Sequence, residues 1–93
     1  MTADNSAESE VVVLNELGLH ARPATLLAKK AMEYKCELYL IKDGESFNIR
    51  SVMNILMMAA GKGARIAIRG IGDDADRAVA EIKDMVNSKF GED

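Results

Sequence analysis

The sequence has no tryptophan, and it has one histidine, one cysteine and one proline in 93 residues. A lone cysteine, Cys36, excludes an intrachain disulfide, so nothing calls for an oxidising compartment. One histidine and one cysteine cannot build a structural zinc site, and no cofactor motif is present. Aromatic residues make up only 4% of the chain and the net charge is −3. No basic stripe with interleaved aromatics exists, which argues against a nucleic-acid binder. The longest uncharged run, Ser51 to Gly61, is far too short to span a bilayer. Residues Met1 to Glu10 are acidic and polar, without the basic start and apolar stretch of a signal peptide. A cytoplasmic protein without membrane insertion is the expectation.

What remains is a globular composition, 48% hydrophobic and 29% charged. The length suits one small domain, expected over residues 10–93 behind a loose tail at 1–9. Val11-Val12-Val13-Leu14 is β-branched and reads as a first strand. Pro23 fits the first turn of a helix running to about Tyr34, with Leu27, Ala28, Ala31 and Tyr34 at helical spacing. Cys36 to Lys42 alternates as a second strand. Asp43-Gly44 is a hairpin signal, and Glu45 to Arg50 returns as a third strand with Phe47 and Ile49 inward.

Ser51 is a good N-cap for a short helix to about Ala60, ended by Gly61-Lys62-Gly63. Ala64 to Arg69 is a cleanly alternating fourth strand. Asp73 can cap a last helix whose apolar stripe is Ala75, Ala78, Val79, Ile82, Met85, Val86 and Phe90, with Gly91 as its stop. The order β-α-β-β-α-β-α describes a two-layer α/β sandwich, with helices on one face of the sheet and water on the other.

The chemistry concentrates in Gly18-Leu19-His20-Ala21-Arg22-Pro23-Ala24. Imidazole is nucleophilic, and its ordinary pKa of about 6.5 leaves much of it neutral at physiological pH. A neutral ring nitrogen can attack a phosphoryl donor without a separate strong base. A helix N-terminus offers free N–H groups and the favourable end of a dipole for the phosphate. Arg22 adds a guanidinium able to grip phosphate oxygens. Leu17 and Leu19 can anchor the loop on either side of Gly18.

Blander readings stand beside this one. A loop histidine can be merely solvated or a capping group. A Ser-His or Cys-His hydrolase would need an orienting third residue, which the sequence does not display. Cys36 reads as a small core hydrophobe within a strand. Gly61-Lys62-Gly63 lacks the spaced glycine and the following Ser or Thr of a P-loop.

The His20 motif resembles the phosphorylation-site signature of the histidine-containing phosphocarrier family, HPr, of the bacterial phosphotransferase system. Arg50-Ser51-Val52-Met53-Asn54-Ile55-Leu56-Met57 is similar to the family's regulatory serine region, although many members have lysine and glycine where Arg50 and Asn54 stand. Gly61-Lys62-Gly63-Ala64 is a third match, and the resemblance spans about Glu10 to Phe90. It implies an antiparallel sheet in the order 1-4-2-3 with three helices on one side. It also implies a monomeric carrier rather than an enzyme.

In such a carrier Nδ1 of His20 would take a phosphoryl group from the phosphoenolpyruvate-dependent first enzyme. It would pass that group to a sugar-specific or regulatory component. Arg22 would steady the phosphate. Ser51 would be the target of an ATP-dependent serine kinase and its phosphorylase, with a sugar-uptake role or a nitrogen-type regulatory role both open. The helix after Ser51 is apolar nearly all round, with Ile55 and Met58 as core candidates. Ala21, Lys29, Val52, Met53 and Leu56 are then expected to form the partner-docking surface, Lys29 supplying charge at the rim.

Overall fold

The computed structural model describes residues 5–92. Its elements are β1 (Ser6–Val12), α1 (Ala21–Ala31), β2 (Glu37–Lys42), β3 (Glu45–Asn48), α2 (Val52–Met58), β4 (Arg65–Ile71) and α3 (Ala75–Asn87), followed by a 3-10 turn, Lys89–Gly91. The four strands form one antiparallel sheet in the order β1-β4-β2-β3.

Alternation sorts the two faces of this sheet. Val11, Ile66, Ile68, Leu38 and Leu40 are buried on the face that the helices cover. Glu8, Glu10, Arg65 and Arg69 lie on the opposite, solvated face, where Arg69 approaches Glu8 at 3.9 Å and Arg65 approaches Glu10 at 4.0 Å. Leu27 and Ala31 of α1 and Ala78, Val79, Ile82 and Val86 of α3 complete the core. Each fully buried leucine or isoleucine adds about 1.5–3 kcal/mol of hydrophobic stabilisation. The three helices thereby hold their apolar stripes against the sheet and leave α1 and α2 at the molecular surface.

Several boundaries differ from the sequence expectation, each for a physical reason. Strand β1 begins at Ser6, so Ser6–Ser9 are not a loose tail; Ser6 pairs with Ile71 and Ser9 with Ile68. Its inward residues there are the small Ala7 and Ser9, which leave no hydrophobic signal. Residues 1–4 of the expected tail lie outside the described residues. Val13 and Leu14 follow the strand, although Val13 stays buried and hydrogen-bonds with Gly63 and Ala64. Strand β3 stops at Asn48, while Ile49 beyond it is fully buried.

Helix α1 ends at Ala31, and Tyr34 reaches the core from the loop that follows. Helix α2 ends at Met58, with Ala59 in the left-handed region at φ 54°. The cap position of α3 belongs to Asp74, not Asp73, and its side chain does not cap. The Asp74 carboxylate instead accepts the backbone N–H groups of Lys35 and Cys36, both at 2.9 Å. Helix α3 ends at Asn87, so Phe90 enters the core from the 3-10 turn rather than from the helical stripe.

Candidate functional site

His20 stands at the junction between a tight loop and α1. Residues Asn15 to Gly18 form a turn in which the Gly18 N–H donates to the Asn15 carbonyl at 3.0 Å. Gly18 has φ +66°, and a Cβ placed there would lie 2.5 Å from the Ala60 carbonyl oxygen and 2.7 Å from Gly61 Cα. Only glycine fits that approach. Leu19 then donates its N–H to the Ala60 carbonyl at 2.9 Å and buries its side chain. Leu17, expected as a second anchor, is 75% exposed and anchors nothing. The loop is therefore fixed to the segment that leaves α2.

His20 occupies the N-cap position of α1 in extended backbone geometry, and its side chain makes no capping bond. Its carbonyl accepts the N–H of Ala24 at 3.0 Å, which starts the helix. The N–H groups of Ala21 and Arg22 belong to the first turn and have no intrahelical acceptor. Pro23, buried in that same turn, has no N–H to leave unpaired. The ring of His20 is half-exposed beside a helix N-terminus.

The carboxylate of Glu92 converges on this ring. Its Oε2 lies 3.1 Å from His20 Nε2 and accepts from Arg22 Nη1 at 2.9 Å. Its Oε1 accepts from Asn15 Nδ2 at 3.1 Å. Burial pushes the Glu92 carboxyl up, but the hydrogen bonds from Arg22 and Asn15 and the nearby His20 outweigh this and hold it below the ordinary carboxylate value. A carboxylate can only accept, so the neutral imidazole facing it carries its proton on Nε2. The lone pair is then left on Nδ1, the nitrogen available for chemistry.

Glu92 had no signal in the sequence. It lies 72 positions from His20 and arrives through a hook of left-handed residues, Lys89 (φ 57°), Phe90 (φ 55°) and Gly91 (φ 78°). Left-handed geometry is unfavourable for the two non-glycine residues. The buried ring of Phe90 offsets that by anchoring the hook to the core.

The remaining expected residues sit as follows. Ala21, Arg22 and Lys29 are exposed on α1. Ser51 caps α2, its Oγ accepting from the Asn54 N–H at 3.1 Å. Met53 is 65% exposed and Leu56 37% exposed, and Val52 is half-buried, with part of its side chain packed against the core. Met57, absent from the expected surface, is 69% exposed. Ile55 and Met58 are buried as expected. Cys36 is buried, and that burial pushes its thiol up to about 11, which suits a core residue rather than a nucleophile. Among the described residues no group of histidine, cysteine and carboxylate side chains is arranged to hold a metal ion.

Residues 7–88 match the family described as "PTS HPr component phosphorylation site". The chain belongs to the HPr family of the phosphotransferase system. It is 38% identical over 77 residues to the phosphocarrier protein HPr of Mycoplasma capricolum, covering 83% of this chain and 86% of that one. It is 40% identical over 85 residues to the phosphocarrier protein NPr of Shewanella violacea, covering 91% and 93%. The crystal structure of HPr from Thermoanaerobacter tengcongensis superimposes with a TM-score of 0.90 at 32% identity, covering 94% of this chain and 98% of that one.

The function is that of an HPr-type phosphocarrier, which relays a phosphoryl group among enzymes of the phosphotransferase system rather than turning over a substrate itself. The family fold, with β1-β4-β2-β3 order and three helices, is the one observed. No helix among the described residues is long and apolar enough to cross a membrane. The family match stops at residue 88, so Glu92 lies beyond the span it covers.

Proposed function

We propose that Nδ1 of His20 is the phosphoryl acceptor and that Arg22 holds the incoming phosphate. The observation that carries this reading is the 3.1 Å contact of His20 Nε2 with Glu92, which in the neutral ring favours a proton on Nε2 and a lone pair on Nδ1. The Nδ1 lone pair forms an N–P bond as the corresponding bond on the phosphorylated first enzyme breaks. The ring gains positive charge in that step, and the Glu92 carboxylate beside Nε2–H stabilises it. A proton retained on Nε2 also keeps the imidazole a good leaving group for the onward transfer. Arg22 exchanges Glu92 for phosphate oxygens, assisted by the first-turn N–H groups of α1.

Partner docking is assigned to the surface around Ala21, Lys29, Met53, Leu56 and Met57. Exposed methionines adapt to unlike surfaces, which suits a carrier that must fit both a donor and an acceptor. Ser51 is proposed as a serine-kinase target. A phosphate there would add negative charge at the start of α2, close in sequence to Met53 and Leu56.

Incubation with phosphoenolpyruvate and the first enzyme should place an acid-labile phosphate on His20, with none on His20→Ala. Phosphate retained by His20→Ala would sink the assignment. Arg22→Ala should slow transfer while leaving the thermal midpoint within a few degrees of wild type, since the side chain is 53% exposed.

A second reading is a regulatory carrier of the nitrogen-type branch. It is favoured by the 40% identity to the Shewanella violacea protein named NPr. Pull-downs with phosphorylated and unphosphorylated chain separate the two. Partners retained in only one state support the regulatory reading, and transfer to a sugar-specific component supports the first.

A further inference from the structure

Asn15 is the one buried polar side chain among the described residues, with no solvent exposure. Its Nδ2 donates to the Gly18 carbonyl at 2.5 Å and to Glu92 Oε1 at 3.1 Å. Both partners are pure acceptors, so the orientation of the amide is settled: a flipped group would set Oδ1 against two oxygens. Its Oδ1 is buried with no hydrogen-bond partner among the described residues. A side chain that served only to shape the loop would need one donor to Gly18. This one spends its second donor on a residue 77 positions away and leaves its acceptor unpaired to do so.

We propose that Asn15 is a positioning residue for phosphoryl transfer, acting on His20 through Glu92. The amide joins the loop that presents His20 to the carboxylate that faces its ring. By fixing Oε1 it aims Oε2 at Nε2, and so sets the tautomer that exposes Nδ1. The inference rests on the assignment of His20 as acceptor. Without Asn15 the carboxylate turns on Arg22 alone, and the neutral ring divides between its two tautomers. Replacement by aspartate repels Glu92 outright while keeping the shape of the side chain.

The test measures ring ¹⁵N chemical shifts of the neutral imidazole, which report the tautomer, together with phosphoryl-transfer kinetics from the phosphorylated first enzyme. Wild type should be predominantly Nε2–H. Asn15→Ala, Asn15→Asp and Glu92→Gln should each move toward a mixture and lower kcat/KM about tenfold, chiefly in kcat. The double variant Asn15→Ala with Glu92→Gln should be no worse than Glu92→Gln alone. A wild-type tautomer in Asn15→Ala overturns the proposal, as does an effect of Asn15→Ala that persists in the Glu92→Gln background. Glu92→Gln leaves the Asn15–Gly18 bond intact, so it decides the question even if the Asn15 variants fold poorly: an unchanged tautomer there ends the idea. Failure of wild type to take phosphate would refute the acceptor assignment instead, while the ring spectrum would still report on the relay.

Discussion

The guanidinium of Arg50 donates from Nη2 to the backbone carbonyl of Tyr34 at 2.6 Å, and the same nitrogen reaches the carbonyl of Ala31 at 2.9 Å. It thereby closes the carboxyl end of α1 from a residue adjacent to Ser51. The dipole of α1 has its negative pole there, so a cation is well placed.

Arg50→Ala should therefore destabilise the fold by about 1–2 kcal/mol, the value of charge-assisted hydrogen bonds at a half-exposed helix end. Urea unfolding of the two proteins measures it. Arg50→Lys should recover part of the loss, because a lysine keeps the charge and not the fixed fork. Equal midpoints for wild type and Arg50→Ala would remove the capping role.

Asp74 supplies a pH-dependent test. The backbone N–H of Lys35 above all, aided by the thiol and N–H of Cys36, outweighs desolvation and holds its carboxyl down at about 2. In the unfolded chain an aspartate titrates near 3.9. The depressed value means that ionised Asp74 favours the folded state. That contribution is fully present above about pH 4 and is lost as pH falls toward 2. Asp74→Asn should be less stable than wild type at neutral pH, and the two unfolding curves should converge between pH 4 and pH 2. A constant gap across that window would refute the linkage.

Ser51→Ala removes the Oγ that accepts from Asn54 and should cost about 1 kcal/mol. Ser51→Asp keeps an acceptor at the cap and adds a charge favoured at a helix N-terminus, so its stability should stay close to wild type. Its KM toward an acidic partner should nevertheless rise, and the rise should shrink as salt is added. A salt-independent effect would point to altered structure rather than charge.

Met53→Lys and Met57→Lys should each leave stability within about 0.5 kcal/mol, since both side chains already lie in water. Each should raise the KM for transfer roughly fivefold, because apolar contact is lost and a charge must be desolvated. The thermal midpoint and transfer kinetics of the same preparation check both halves. An unaltered KM in both variants would place docking elsewhere.

Alternation and helical spacing made most of this architecture legible: Leu38 and Leu40, Ile66 and Ile68, and Leu27 with Ala31 face the core as their periods demand. Polar Ser6–Ser9 reads as a tail in the sequence because an edge strand with Ala7 and Ser9 inward carries no hydrophobic period; its pairing partner β4 decides its state. Asp73 and Asp74 offer the same local cap chemistry, and the choice is made by backbone groups of Lys35 and Cys36 from another part of the chain. His20 and Arg22 were visible as a motif. Asn15 and Glu92 were not, because neither has a meaning until the loop and the final hook meet.

That meeting also sets an order in time. A chain emerging from its N-terminus possesses His20 and the whole of α1 long before Glu92 exists. Until the hook of Lys89 and Phe90 has closed on the core, the imidazole has no carboxylate to choose its tautomer, and Arg22 is free of its clamp. On the proposal above, full efficiency of phosphoryl transfer is in this sense a late property of the molecule, acquired with tertiary closure rather than with the histidine itself.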